Sequence, residues 1–163
     1  MTTICEAQFP QHLEAVRAVF REYAASLGID LSFQDFETEL SDLPGKYAPP
    51  RGRVLLAWRD AAVIGSVALR PLNETICEMK RLYVRPAGRG EQLGKRLAEH
   101  VIRVAKETGY TKIRLDTLPT MQAAQYLYAS LGFVDIPAYV FNPVEGTRFL
   151  ELDLTATEDA RSK

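Results

Sequence analysis

Arg89, Gly90, Gln92, Leu93, Gly94 and Lys95 stand where a strand-like run, Leu82-Tyr83-Val84, passes through Arg85-Pro86-Ala87-Gly88 into a helical pattern. A helix start presents unpaired N–H groups and roughly half a positive charge, so a strand, glycine loop and helix in sequence can hold phosphate. Gly88, Gly90 and Gly94 let backbone approach phosphate oxygens, and Arg89, Lys95 and Arg96 add mobile positive charge. The chemistry of this junction is that of a diphosphate site.

Three phosphate-binding patterns compete for it. A Walker loop, G-x-x-x-x-G-K-[ST], would put Arg89 at its first glycine and Arg96 at its Ser/Thr, so it fails twice. The dinucleotide fingerprint G-x-G-x-x-G meets Leu93 at its third glycine, and too little chain follows Asp116 for the second βαβ half. The third pattern fits best, and it depends on the surrounding elements.

The spacing predicts a first strand over Thr3 to Ala7, then a helix opened by Phe9-Pro10 with Leu13, Val16, Val19, Phe20, Tyr23 and Leu27 on one face. Ser32 can cap a short helix through Phe33, Phe36 and Leu40. Val54 to Trp58 and Val63 to Leu69 read as a hairpin, and Asn73-Glu74 turns into a third strand, Ile76 to Val84. On that strand alternation puts Glu78, Lys80, Leu82 and Val84 on one face and Cys77, Met79, Arg81 and Tyr83 on the other. Leu93 to Ala105 marks a helix closed by Gly109, followed by a strand from Lys112 to Asp116 and a helix from Met121 to Leu131. Strands start at Phe133 and span Thr147 to Leu154, before a polar tail from about Thr155. Antiparallel strands first, then strand, helix, strand, helix, strand, predict a mixed α/β (α+β) fold with a crossover in its second half.

In that setting Leu82-Tyr83-Val84-Arg85-Pro86 with Arg89-Gly90-x-x-Leu93-Gly94-Lys95 resembles the coenzyme A motif of the GNAT N-acetyltransferase superfamily. Ala124, Leu127-Tyr128 and Leu131-Gly132-Phe133 resemble its fourth-helix signature, A-x-x-L-Y-x-x-x-G-F. Pro86 sets the register at Arg89, which makes Arg85-x-x-Gly88-x-Gly90 a decoy and leaves Gln92 at the usual middle glycine. If Gln92 needs positive φ it costs roughly 1–2 kcal/mol. The resemblance implies one N-acetyltransferase domain over residues 1–163, a mostly antiparallel sheet with a splayed strand pair, about four helices, and acetyl-CoA as co-substrate. It implies main-chain pairing of Leu82, Tyr83 and Val84 with the pantetheine arm, and a pyrophosphate surrounded by Arg89, Gly90, Gln92, Leu93, Gly94 and Lys95.

Direct transfer of acetyl to an amine in a ternary complex needs a deprotonated nucleophile and a proton for the thiolate. Glu78 matches the position of the base in histone-acetylating members, and otherwise is a glutamate paired with Lys80 or Arg81. Tyr128 fills the family's acid position, and otherwise packs on the core. Cys77 lacks a neighbouring base and reads as a buried, inert thiol. Tyr23, Tyr47, Arg114, Asp116, Tyr139 and Asn142 are the residues expected to line the acceptor site. The alternative, motivated by Gln92, is a non-catalytic acetyl-CoA-binding sensor or partner module.

Composition narrows the partners. Twenty Lys and Arg against 21 Asp and Glu leave net −1, against a general nucleic-acid or anionic-membrane surface. Two cysteines without a Cys/His cluster, and the lack of a long apolar run, point to no metal, no membrane span and a cytoplasmic setting. The acceptor is a small-molecule or protein amine, and a homodimer stays open.

Overall fold

Alternating and continuous apolar runs in the centre of the chain assemble into one sheet covered on both faces. The structure, a computed structural model, describes residues 2–32 and 35–155. Phe33 and the tail beyond Thr155 lie outside the described residues. In chain order the elements are β1 (Thr2–Glu6), α1 (Leu13–Leu27), α2 (Phe36–Asp42), β2 (Arg53–Arg59), β3 (Ala62–Pro71) and β4 (Ile76–Val84). Then follow α3 (Leu93–Thr108), β5 (Lys112–Thr117), α4 (Gln122–Ser130), β6 (Val134–Ile136) and β7 (Arg148–Asp153). The sheet order is β1-β2-β3-β4-β5-β7-β6. Every pairing is antiparallel except β4 with β5.

Two corrections concern helix starts. α1 begins at Leu13 rather than at Pro10. α2 begins at Phe36 with Asp35, in the left-handed region, before it, so Ser32 is not its cap.

Side-chain alternation on β2 divides the core. Leu55 and Ala57 pack with Leu93, Leu97, Val101 and Ala105 of α3, while Val54 and Leu56 pack with Val16, Val19 and Phe20 of α1. Each fully buried leucine stabilises by about 1.5–3 kcal/mol. The sheet is thus clamped between α3/α4 and α1/α2.

The predicted alternation of β4 fails at Arg81. Ser66 pairs with Tyr83 and Ala68 with Lys80, so Arg81 and Leu82 together oppose one residue of β3. This bulge sits on Arg81, whose φ is 61°. The Ser66 hydroxyl donates to the Arg81 carbonyl at 2.9 Å. Beyond the bulge Leu82 and Val84 join Met79 on the α3 face, and Tyr83 turns to the α1 face. The left-handed backbone costs roughly 1–2 kcal/mol. Its offset is the buried Arg81–Glu39 pair, with Nη2 at 2.8 Å and Nε at 3.0 Å from the carboxylate.

β4 and β5 pair only over Ile76–Lys112, Cys77–Ile113 and Glu78–Arg114, although both strands run on to Val84 and Thr117. Past Glu78 they separate, as the splayed pair requires. Tyr128 and Asp116, both singled out by the sequence, line that wedge.

Candidate active site

The wedge opens beside the glycine loop. Arg89 is extended, Gly90 has φ 96° and Gln92 has φ 54°, directly before Leu93 begins α3. Gln92 therefore does occupy the left-handed region. The first helical bond runs from Arg96 N–H to the Gln92 carbonyl at 3.1 Å, and among the described residues no backbone carbonyl takes the N–H groups of Gly90 to Lys95. These are the orphan donors of a helix start.

Two glycines here have different reasons. A Cβ at Gly88 would lie 3.1 Å from the Ile64 carbonyl oxygen and 3.2 Å from Val84 and Leu93, so packing demands it. A Cβ at Gly94 would meet nothing closer than Val84 and Leu127 at 3.9 Å. Glycine in a helix costs about 1 kcal/mol relative to alanine, and the protein's own packing does not call for it. The open strip between Val84 and Leu127 fits a ligand chain passing over Gly94. Free amides, a bare strip and the exposed Arg89 fit a diphosphate with an extended arm.

The basic residues separate on inspection. Arg96 turns away to donate to the Thr2 carbonyl at 3.2 Å, so it is not mobile charge for the loop. Arg85 donates to Glu22 at 2.9 Å and to the Val63 carbonyl at 2.8 Å. Arg85 is thus committed to α1 and β3, and Arg89 remains at the loop.

Tyr23, Lys80, Leu82, Asp116, Thr117 and Tyr128 line the wedge. Tyr128 is buried and packs on Phe133 at a tilt of 59°, with ring centroids 5.7 Å apart. Burial pushes its phenol well above the usual range, with Tyr23 and Asp116 adding to the rise. Burial lowers the pKa of Lys80, against the opposing pull of Glu78. The edges of Leu82, Tyr83 and Val84 that face β5 have no strand partner there.

Glu78 is 1% exposed, and both its oxygens are engaged. Arg70 Nε donates to Oε1 at 2.8 Å, and the Tyr139 hydroxyl donates to Oε2 at 2.6 Å. Asn142 donates to Asp116 Oδ2 at 3.1 Å. Arg114 pairs with Glu151 at 2.7 Å and lies 5.4 Å from the Tyr139 ring centroid. Tyr23 and Asp116 thus line the wedge with Asn142 bonded to Asp116, Tyr139 is joined to Glu78, and Tyr47 lines a separate recess with Arg70 under α2. Cys77 is buried, and burial pushes its thiol up to about 12.

Arg70 is the residue that sequence reading passes over. Folding the hairpin about Asn73-Glu74 sets Arg70 directly across from Glu78, so counting cross-strand partners could have found it. Thr117, buried with an unpartnered hydroxyl, carries no comparable signal.

Similarity to known proteins agrees with this geometry. The Acetyltransferase (GNAT) family model matches residues 14–133. An uncharacterized N-acetyltransferase of Schizosaccharomyces pombe is 38% identical over 94% of this chain and 95% of its own length. Another, from Escherichia coli, is 30% identical over 75% of this chain and 76% of its own. A Staphylococcus aureus GNAT acetyltransferase superimposes with TM-score 0.78 at 24% identity, covering 94% of this chain and 99% of that one. The Salmonella typhimurium protein yncA, solved with its cofactor acetyl-CoA, shares the fold with TM-score 0.66 at 20% identity, over 96% of each chain. By its sequence, its splayed sheet and its glycine loop, the chain belongs to the GNAT family of acetyltransferases.

Proposed function

We propose that the protein transfers an acetyl group from acetyl-CoA directly to a primary amine of a small molecule or a protein. The observation that carries the reading is the run of unpartnered amides from Gly90 to Lys95, with bare Gly94 lying between Val84 and Leu127 and Tyr128 lining the wedge. The diphosphate takes the amides, Arg89 and Lys95 supply charge, and the pantetheine amides pair with the open edge of Leu82 to Val84.

An alkylamine with pKa about 10.4 is free base in about 4 parts in 10,000 at pH 7, a deficit of about 4–5 kcal/mol. Glu78 has no direct access to an acceptor, because Arg70 and Tyr139 cover its oxygens. It acts as base through Tyr139: the amine's proton passes to the Tyr139 oxygen as the phenol proton moves to Glu78. Arg70 anchors the carboxylate through Oε1 and leaves Oε2 to Tyr139. The amine nitrogen bonds to the acyl carbon, the carbon–sulfur bond breaks, and Tyr128 gives its proton to the departing thiolate. Its raised pKa keeps that proton in place beforehand. Solvent then reprotonates Tyr128 and takes the proton from Glu78.

Thiol release from acetyl-CoA over a panel of primary amines tests the reading. Amine-dependent release is expected; a protein that binds acetyl-CoA yet turns over none of a broad panel would be a binding module instead.

A further inference from the structure

The wedge does not end at Tyr128. Tyr23, Asp116 and Met121 are shared with a second hollow, whose other walls are Leu27, Ile29, Leu31, Leu118 and Asn142. Asp116 is the only carboxylate lining either part, among the described residues. Asn142 occupies its Oδ2, and Oδ1 has no hydrogen-bond partner among the described residues. Apart from Tyr23, Asp116 and Asn142 the outer hollow is lined by apolar side chains: Leu31 and Leu118 are buried, and Leu27, Ile29 and Met121 are half-buried. The inner end carries the cations Lys80 and Arg81, with Arg81 held by Glu39.

We infer that Asp116 Oδ1 receives the ammonium of the acceptor and that the apolar outer hollow takes an uncharged hydrocarbon arm attached to it. The class of substrate is a primary amine with an alkyl or aryl tail, not an amino acid or a diamine. This rests on the transfer reading above. The physical reason is complementarity: one unfilled carboxylate oxygen takes one cation, while a second charge at the far end of the ligand would be stranded among Leu27, Ile29, Leu31, Leu118 and Met121. Asn142 holds the carboxylate through its other oxygen, Oδ2. Asp116 lines the wedge together with Tyr128, so an amine docked on it lies in the same cleft as the proton donor.

The test is steady-state acetylation at saturating acetyl-CoA of propylamine, butylamine, pentylamine and hexylamine, against 6-aminohexanoate and 1,6-diaminohexane. Expected is an acceptor KM falling about fourfold per added methylene until the hollow is filled, and kcat/KM at least about tenfold lower for either doubly charged partner than for hexylamine. Asp116→Asn should raise the acceptor KM by about tenfold or more while the Kd for acetyl-CoA stays unchanged. Met121→Glu should shift preference toward 1,6-diaminohexane, a reversal that loss of stability cannot imitate. Turnover without chain-length dependence, or an unchanged acceptor KM in Asp116→Asn, overturns this inference alone. No turnover with any amine strikes the transfer reading itself.

Discussion

The glycine loop, proposed to hold the cofactor, and the end of the wedge proposed to take the acceptor are opposite in construction. The loop uses backbone: consecutive residues from Gly90 to Lys95 offer amides, and the absence of a side chain at Gly94 matters as much as any side chain present. The acceptor end uses side chains gathered from across the chain, with Tyr139 reaching Glu78, Asn142 reaching Asp116 and Arg81 reaching Glu39. A site made of backbone tolerates most substitutions that keep its φ values. A site made of paired buried charges fails when one partner is removed. The difference can be broken or sharpened experimentally.

The largest effect falls on turnover. Tyr128→Phe keeps the ring and its packing on Phe133 but removes the proton, so kcat should fall about 10²–10⁴-fold with little change in acetyl-CoA affinity. Steady-state kinetics beside a direct binding titration check it, and an unchanged kcat ends the acid role.

Next comes the buried pair. Glu78→Gln should abolish most turnover and also cost about 2–3 kcal/mol by stranding Arg70, as read from urea denaturation. The double variant Arg70→Met with Glu78→Gln should recover much of the stability and none of the activity. Recovery of activity would reassign Glu78 to structure.

A third effect is on pH. Burial raises the phenol pKa values of Tyr23, Tyr47, Tyr128 and Tyr139 above the ordinary value of 10.0. Above that value the unfolded chain releases these protons and the folded protein keeps them, so stability is lost as pH climbs past 10. Phenolate absorbance of these residues should appear together with unfolding. Gradual titration of Tyr47 and Tyr128 in the folded protein would contradict their burial.

The smallest effect is at Gln92. Replacing it with glycine relieves a left-handed conformation worth roughly 1–2 kcal/mol, partly offset by the greater freedom of glycine in the unfolded chain. The melting point should rise slightly with acetyl-CoA binding retained. A drop would mean that the glutamine side chain itself holds the loop.

How much of this was legible follows the same division. The loop reads from sequence because its residues are contiguous and each carries a local reason: glycine for φ or for closeness, helix start for amides. Apart from the starts of α1 and α2, which come later than predicted, the strands and helices read to within a residue or two because apolar period decides them. The faces of β4 did not read past Lys80, because nothing in Lys80-Arg81-Leu82 announces a bulge; the Ser66 hydroxyl and Glu39 that stabilise it come from elsewhere in the chain. Glu78 was legible as a position but not as a buried pair, since Arg70 and Tyr139 define its state only once the hairpin and the late loop are folded.

The central claim is that main-chain amides at the start of α3 grip the diphosphate and that Gly94 is bare so the ligand can pass. Titrating acetyl-CoA into wild type and Gly94→Ala by calorimetry, with thermal melts of both ligand-free proteins, tests it most directly. The added methyl has 3.9 Å of clearance from protein atoms, and alanine favours the helix by about 1 kcal/mol. The account predicts a variant at least as stable as wild type that binds acetyl-CoA at least about tenfold more weakly. Equal affinity in the two proteins, or no binding of acetyl-CoA by wild type, would contradict it.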